Sequence, residues 1–269
     1  DYSMKNTEML RLQTEWHRKH DTPLDIDKHI DALRAFFHAV SAAPHITPER
    51  LNALMLKYVH EDGSPVPQDK IIEAYRRLSE RGTLPFDRAL YDRLKLKPIR
   101  TSSGVAPLTV LTGAFPCPGK CIFCPEAEGF PKSYLSLEPG VQRAAANRFD
   151  PFKQTAARLS SFEYNGHATD KIELLILGGT WSAYPQKYQE WFVQRCFDAL
   201  NGADSKSLDE AHRLNETAEH RNVGLVMETR PDHITLAEVR RLRWLGATKV
   251  QLGIQSLDDT ILEANWRGH

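Results

Sequence analysis

The sequence has no net charge, few cysteines and no long apolar run. Its 35 lysines and arginines equal its 35 aspartates and glutamates, so no overall field attracts a polyanion, and any nucleic-acid surface must be a local patch. Only four cysteines occur, three of them in one short segment, which excludes the disulfide framework of a small secreted protein. No apolar run reaches membrane-spanning length, and no signal peptide opens the chain. We therefore expect a cytoplasmic protein that makes no membrane contact.

The chain is long enough for two modest domains, and its character changes near residue 98. Its 269 residues are 41% hydrophobic, which supports an ample core. Residues 1–98 carry amphipathic helical patterns without a convincing strand, so we predict an N-terminal helical domain. Residues 99–269 alternate strand and helix patterns, so we predict an α/β domain. Three residues precede Met4, and we expect them to lie outside the natural chain.

The N-terminal helices are predicted from their start and stop signals and from apolar spacing. Thr47 and Pro48 are a favoured N-cap and first helical residue, and a later helix is expected to stop at Gly82. Apolar residues recur at helical spacing in three stripes: Ile30, Leu33, Phe36, Phe37 and Val40; Leu51, Leu54, Met55 and Tyr58; and Ile71, Ile72, Tyr75 and Leu78. We expect these stripes to form the core of a helical bundle.

The second part of the chain reads as strands joined by helices. We predict strands over 108–115, 172–177, 223–229 and 249–255, with helices over 141–164 and 186–200 and after two capping boxes that begin at Ser207 and Thr235. Right-handed crossovers between such strands produce a parallel sheet. We therefore predict an α/β fold with a partial parallel (β/α) barrel, whose functional residues gather at the carboxyl ends of its strands.

Cys117, Cys121 and Cys124 form a C-x3-C-x2-C motif that offers three thiolates to one metal centre. A [4Fe-4S] cluster normally takes four cysteine ligands, so three leave one iron free to bind a substrate or cofactor. Enzymes that reductively cleave S-adenosylmethionine (SAM) to form a radical use this arrangement. A zinc site with a fourth ligand from elsewhere, or three unrelated buried thiols, are the alternatives. The remaining cysteine, Cys196, lies on an apolar predicted helix, and we assign it to the core.

Residues at the other predicted strand ends are candidate SAM ligands. They are Gly178, Gly179, Thr180, Glu228, Arg230, Gln251 and Gln255. The diglycine lets backbone carbonyls approach an ammonium group, or it forms a plain tight turn. Glu228 and Arg230 alternate, which suits contact with ribose hydroxyls and a carboxylate, or they form a structural ion pair. The two glutamines share a face and line the same cavity, or they are buried amides that bind backbone.

Four cations lie close together just before the cysteines. They are Arg93, Lys95, Lys97 and Arg100, which we call the basic strip. Contacts of such a strip with phosphates give affinity for nucleic acid without sequence choice. A solvated basic linker is the alternative, and charge alone does not decide between the two.

Several stretches of the chain resemble one protein family. They are, in order, RTSSGVAPLTV, CPGKCIFCP, SYLSLEPGVQRAAANRFDPFKQTAARL, DKIELLILGGT, LNETA, ETRPDH, QLGIQSLDD and NWRGH. From about residue 100 to the end, the chain resembles the radical-SAM region of the catalytic subunit of Elongator and its bacterial and archaeal single-chain relatives. The resemblance implies a tRNA-modifying enzyme that makes 5-carboxymethyluridine at the wobble position from acetyl-CoA and SAM.

The resemblance also implies roles for individual residues. The three cysteines correspond to the family's cluster ligands, and Gly178 to Thr180 correspond to its GGT segment. Lys171 corresponds to a family lysine linked to the acyl donor, although the sequence alone favours a plain strand-edge lysine. The basic strip corresponds to a tRNA-binding N-terminal region. Tyr134, near the cluster motif, becomes a stacking candidate for the wobble base.

The resemblance further implies that the chain is a fragment. The family's C-terminal acetyltransferase domain is absent, and the chain ends at His269, before the last strands of a radical-SAM barrel. Acetyl-CoA would then be bound mainly outside this chain, and we do not assume that the chain alone catalyses the complete reaction. Two other functions stay open: a protein acetyltransferase of the histone or tubulin type, and a non-catalytic tRNA-binding scaffold with a structural metal site. Accessory subunits and a homodimer also stay open.

Overall fold

A computed structural model describes residues 24–61, 64–95, 97–127 and 129–269. The three residues before Met4 lie outside these ranges. The chain divides into two compact units, one formed by residues 1–98 with Tyr164–His167, and the other by Ile99–Glu163 with Ala168–His269. Among the residues so described, no helix combines the length and the apolar character needed to cross a bilayer.

The first unit is a small helical bundle. Its described helices are α1 (Ile30–Ala42), α2 (Pro48–Tyr58), α3 (Gln68–Glu80) and α4 (Arg88–Leu94). The three apolar stripes pack into one core, as predicted from their spacing. The Thr47 cap is confirmed, because its hydroxyl accepts a hydrogen bond from the backbone N–H of Arg50 at 3.2 Å. Gly82 takes a left-handed φ of +70° just after α3.

The first unit also contains a strand pair that the sequence pattern does not predict. Strand β1 (His60–Glu61) pairs antiparallel with β2 (Ser64–Pro65). Each strand has only two residues, which is too short to show the alternation that identifies a half-buried strand. This hairpin corrects the expectation that the unit contains no strand.

The second unit is built on a four-stranded parallel sheet. Its strands are β3 (Ala106–Leu111), β4 (Lys171–Leu177), β5 (Arg221–Thr229) and β6 (Lys249–Leu252), arranged in chain order. The register aligns Leu108 with Leu174 and Leu174 with Leu225, and all three are fully buried. Strands that follow one another in space as in sequence are what a (β/α) barrel requires. The parallel α/β prediction is confirmed.

Helices lie between these strands and after the last of them. They are α5 (Pro139–Ala146), α6 (Pro151–Tyr164), α7 (Gln186–Asn201), α8 (Leu208–Asn215), α9 (Leu236–Trp244) and α10 (Asp259–Ala264). Both predicted capping residues, Ser207 and Thr235, accept a backbone hydrogen bond three residues on. The single helix predicted over 141–164 is wrong. It is two helices, because Arg148 and Phe149 each take a φ of +54° and Pro151 starts a new helix.

Two strands end earlier than the patterns predict. Strand β3 ends at Leu111, and Phe115 beyond it packs against the ring of Tyr188 with centroids 4.5 Å apart. Strand β6 ends at Leu252, and Gln255 takes a left-handed φ of +75°. The residues after each strand are therefore free to leave the sheet as loops. Those loops carry most of the candidate site.

Candidate active site

The loops at the carboxyl ends of all four strands of the second unit meet around one cavity, which we call the cysteine pocket. Its lining consists of Cys117, Gly119, Cys121, Cys124, Lys132, Ser133, Gly179, Thr180, Glu228, Thr229, Arg230, Gly253, Gln255 and Arg267. All three predicted cluster cysteines and five of the seven candidate SAM ligands are in this set. Parallel strands place their carboxyl ends on one edge, which is why segments far apart in the chain converge here.

The three cysteines border this pocket at separate points. The sulfur of Cys117 lies 3.5 Å from the hydroxyl of Thr180, and that of Cys124 lies 2.6 Å from the hydroxyl of Ser133. Cys121 is buried, whereas the other two are partly exposed. In the described part of the chain, no group of three or more histidine, cysteine, aspartate or glutamate side chains is gathered for a single metal ion. Three thiols in the lining of one cavity are the donor type that a [4Fe-4S] cluster takes from a protein.

The fourth cysteine takes no part in the pocket. Cys196 lies on α7, is fully buried, and belongs to the core of the second unit with Phe192 and Trp181. Burial raises the pKa of its thiol to about 12, so it stays protonated. Its assignment to the core is confirmed.

Packing requires the two glycines after β4. A Cβ at Gly178, where φ is +129°, would lie 2.1 Å from Oγ1 of Thr112, and one at Gly179 would lie 2.7 Å from the hydroxyl of Tyr184. The Tyr184 hydroxyl donates to the carbonyl oxygen of Gly178, and burial raises the pKa of this tyrosine, which keeps it a donor. Gly179 and Thr180 line the pocket, whereas the carbonyl of Gly178 is already bound inside the protein. A cradle this tight positions the loop that faces the cysteines.

Glu228 and Arg230 both reach the pocket, but they do not form an ion pair with each other. Arg230 pairs instead with Asp232, with Nη2 2.6 Å from Oδ2. Four of its five N–H donors are used, by Asp232 twice, by the carbonyl of Arg267 and by the sulfur of Cys121. One N–H donor of Arg230 is therefore left for the carboxylate of SAM, the contact predicted from the sequence. Glu228 is half-buried, and burial raises the pKa of its carboxyl.

Two further predicted site residues, Gln251 and Lys171, are not in the lining of the pocket. Gln255 lines the pocket, but Gln251 is exposed on β6 and is not in its lining. The shared face predicted for the two glutamines is lost because β6 ends between them. Lys171 is exposed at the first position of β4, at the opposite edge of the sheet. Six residues of strand separate it from Leu177, a rise of about 20 Å.

The basic strip divides into two paired and two exposed cations. Arg93 donates to the carbonyl oxygens of Val40 and Ala43 at 3.0 and 2.7 Å, at the end of α1. Lys95 pairs with Asp92, with Nζ 2.6 Å from Oδ1, and only 15% of its side chain is exposed. Lys97 and Arg100 are exposed. The tRNA prediction therefore narrows to these two residues.

One aromatic candidate is less exposed than expected. Tyr134 is half-buried and packs against a small core formed by Leu111, Val141 and Ala144. Burial raises the pKa of its hydroxyl above the ordinary range. This packing leaves less of the ring accessible than stacking on a base would require of a fully exposed aromatic.

The sequence patterns did not identify one buried residue of the site that contacts a cysteine. Arg267 lines the pocket, is 7% exposed and donates to the sulfur of Cys121 at 3.4 Å. It lies 146 positions after that cysteine. Nothing in a local pattern connects the two, although Arg267 falls in NWRGH, one of the stretches that resemble the family.

Known proteins share both the sequence and the fold of this chain. It is 44% identical over 227 residues to a tRNA uridine(34) acetyltransferase of Methanocaldococcus jannaschii, an alignment covering 82% of the chain and 41% of the relative. It is 30% identical over 250 residues to Elongator complex protein 3 of Drosophila melanogaster, covering 89% and 44% respectively. The archaeal Methanocaldococcus infernus Elp3 with N-terminus deletion, a solved structure, superposes with a TM-score of 0.50 at 42% identity, over 62% of this chain and 32% of that one.

The chain matches the Elongator protein 3 family. A second archaeal relative, a tRNA uridine(34) acetyltransferase of Methanocaldococcus infernus, is 50% identical over 182 residues, covering 65% of the chain and 34% of the relative. No family model matches the chain. The chain spans less than half the length of these Elongator-type relatives.

Proposed function

We propose that this chain is the cluster-binding and tRNA-binding part of an enzyme that modifies the wobble uridine of tRNA. In this proposal Cys117, Cys121 and Cys124 hold a [4Fe-4S] cluster, and SAM binds in the adjoining cysteine pocket. The observation that carries the proposal is the convergence of three thiols with the GGT loop, Glu228 and Gln255 on one cavity. The names of the relatives support a tRNA uridine, and not a protein lysine, as the acceptor.

The residues of the pocket have distinct parts in this proposal. When bound, a three-cysteine cluster supplies the electron for reductive cleavage of SAM. The backbone at Gly179 approaches the cofactor closely because no side chain intervenes. Glu228, whose pKa is raised by burial, is placed to bind a hydroxyl or an ammonium group. Gln255 also lines the cavity and offers an amide to the cofactor.

Acetyl-CoA and tRNA complete the proposed reaction. The resemblance to the family adds acetyl-CoA as the source of the two-carbon unit that is attached to carbon 5 of the uracil. The exposed cations Lys97 and Arg100 are the proposed phosphate contacts. The chain is proposed to work in a longer protein, because its relatives are more than twice its matched length.

The cluster is tested by anaerobic reconstitution with iron and sulfide, followed by electron paramagnetic resonance of the reduced protein with and without SAM. We expect a four-iron signal that changes when SAM is added. Cys121→Ala should lose the signal. Cys196→Ala is the matched control, because it also removes one thiol but from the core, and it should keep the signal.

Two results would contradict the proposal. Stoichiometric zinc without a paramagnetic cluster would make the site structural and would favour a tRNA-binding scaffold. A cluster whose electron paramagnetic resonance signal does not change when SAM is added would favour an electron-transfer or structural role. For the protein acetyltransferase alternative, acetyl transfer by a full-length relative should survive Cys124→Ser at the equivalent position, whereas uridine modification should not.

A further inference from the structure

Two buried arginine side chains converge on the sulfur of Cys121. Nη1 of Arg267 lies 3.4 Å from this sulfur and Nη1 of Arg230 lies 3.6 Å from it. The two arginines are 7% and 6% exposed, and Cys121 is 8% exposed. Neither Cys117 nor Cys124 has an arginine among its hydrogen-bond partners in the described residues. Among the described residues, Cys121 therefore differs from the other two thiols of the C-x3-C-x2-C motif in accepting hydrogen bonds from two arginines.

The charge of one of these arginines is not balanced by a carboxylate. Asp232 pairs with Arg230, but Arg267 has no ion-pair partner within 4 Å in the described chain. Nη2 of Arg267 donates to the carbonyl oxygen of Gly253, and its Nε is buried with no partner. Burying a guanidinium in this way is costly unless an anion lies beside it. The sulfur of Cys121, which a bound cluster would hold as a thiolate, is the acceptor that lies beside both guanidinium groups.

The backbone is shaped to hold this arrangement. A Cβ at Gly119 would lie 2.1 Å from Nη1 of Arg230, so a side chain at this position would displace the guanidinium from its place beside the cysteines. Nη2 of Arg230 donates to the carbonyl oxygen of Arg267 at 2.8 Å, which joins the two arginines. The cysteine loop is tied to the same segment, because the N–H of Ile122 donates to the carbonyl oxygen of Asn265 at 3.2 Å. Three distant segments are thus fixed around one sulfur.

We propose that Arg267 and Arg230 are positioning residues that hold the Cys121 thiolate and raise the reduction potential of a cluster bound there. This inference rests on the proposed function, because it requires the cluster. Hydrogen bonds to cluster sulfurs and nearby positive charge favour the more negative, reduced state. Arg267 has the larger effect, because Asp232 partly neutralises Arg230. The pair acts through the ligand and does not touch the reacting atoms.

The test is a redox titration of the reconstituted full chain, followed by electron paramagnetic resonance. Arg267→Met should lower the midpoint potential of the cluster. At a fixed potential we expect the ratio of oxidised to reduced cluster to rise about tenfold, which corresponds to a shift of about 59 mV for a one-electron couple. Arg267→Lys keeps the positive charge but loses the planar guanidinium with its paired N–H donors. Its midpoint potential should lie between those of the wild type and the methionine variant. Arg221→Met is the matched control, because it removes an exposed guanidinium at the amino end of β5, the strand that leads to Arg230.

The outcomes separate this inference from the proposed function. A wild-type chain that binds no cluster overturns the proposed function and this inference with it. A normal wild-type cluster whose potential is unchanged in both Arg267 variants overturns the inference alone. Weaker SAM binding at an unchanged potential also overturns it, and would make Arg267 a cofactor ligand. If Arg267→Met does not fold by circular dichroism, the lysine variant decides.

Discussion

The guanidinium of Arg93 donates to the carbonyl oxygen of Ala43 at 2.7 Å, although 50 positions separate the two residues. The same Nη1 atom also reaches the carbonyls of Val40 and Ser41. The last carbonyls of a helix have no partner within it, and a cation at this end also interacts favourably with the helix dipole. Arg93 therefore closes the carboxyl end of α1, a role unrelated to nucleic acid.

Replacing Arg93 should cost stability and leave tRNA affinity nearly unchanged. Hydrogen bonds from a charged donor contribute about 1.5–3 kcal/mol, so we expect Arg93→Met to lower the free energy of unfolding by about that amount. Urea denaturation followed by circular dichroism measures it. The control is Lys97→Met, an exposed side chain whose loss should change stability by less than about 0.5 kcal/mol. If the Arg93→Met variant is as stable as the wild type but binds tRNA weakly, the prediction is wrong and Arg93 contacts tRNA.

Local patterns predicted the sheet well because buried parallel strands have a distinctive composition. The run from Ile172 to Leu177 is almost wholly apolar, and it forms β4 within one residue of the predicted bounds. The break after α5 was not predicted, because the left-handed residues there are Arg148 and Phe149 and not glycine. Such a turn is decided by tertiary packing, for which the local sequence carries no signal.

A residue's place in the site could be predicted where it depends on the residue's position along a strand. It could not be predicted where it depends on a contact between residues far apart in the chain. Thr180 and Glu228 follow or end strands and reach the pocket as expected. Lys171, assigned from the family resemblance, lies at the other edge of the sheet because it starts its strand. Arg230 pairs with Asp232, two residues on, and not with Glu228, which was the alternative that the alternating pattern left open. Arg267 depends on a contact across 146 positions, which no local pattern encodes.

Adding a methyl group at Gly178 should destabilise the second unit. Its φ of +129° is strained for any other residue, and the new Cβ would overlap Oγ1 of Thr112. We expect Gly178→Ala to cost at least about 1–3 kcal/mol in urea denaturation. Gly202→Ala is the matched control: its φ of +64° carries the backbone strain, but no atom lies within 4 Å of the added Cβ. Equal costs for the two variants would show that backbone strain alone, and not the Thr112 contact, requires the glycine.

Removing the two exposed cations of the basic strip should weaken tRNA binding and reduce its salt dependence. Each phosphate contact adds about 0.7–0.9 to the slope of log affinity against log salt concentration. We expect the double variant Lys97→Gln, Arg100→Gln to reduce that slope by about 1.4–1.8, measured by filter binding across a salt series. The control double variant is Lys187→Gln, Arg221→Gln, which removes the same charge from other exposed positions. An unaltered slope in the first variant would exclude both cations from the tRNA interface.

The half-buried carboxyl of Glu228 should make the stability of the chain depend on pH. Burial raises its pKa in the folded state, so over the interval between its ordinary and raised pKa the folded chain binds more protons than the unfolded chain. Stability contributed by the neutral carboxyl is therefore present below the ordinary pKa and is lost as pH rises through the folded pKa. Glu228→Gln cannot ionise, so the variant should gain stability relative to the wild type as pH rises from about 4 to about 7. Urea denaturation of the metal-free chain across this range measures the difference. A difference independent of pH would mean that the carboxylate is solvated in the folded protein.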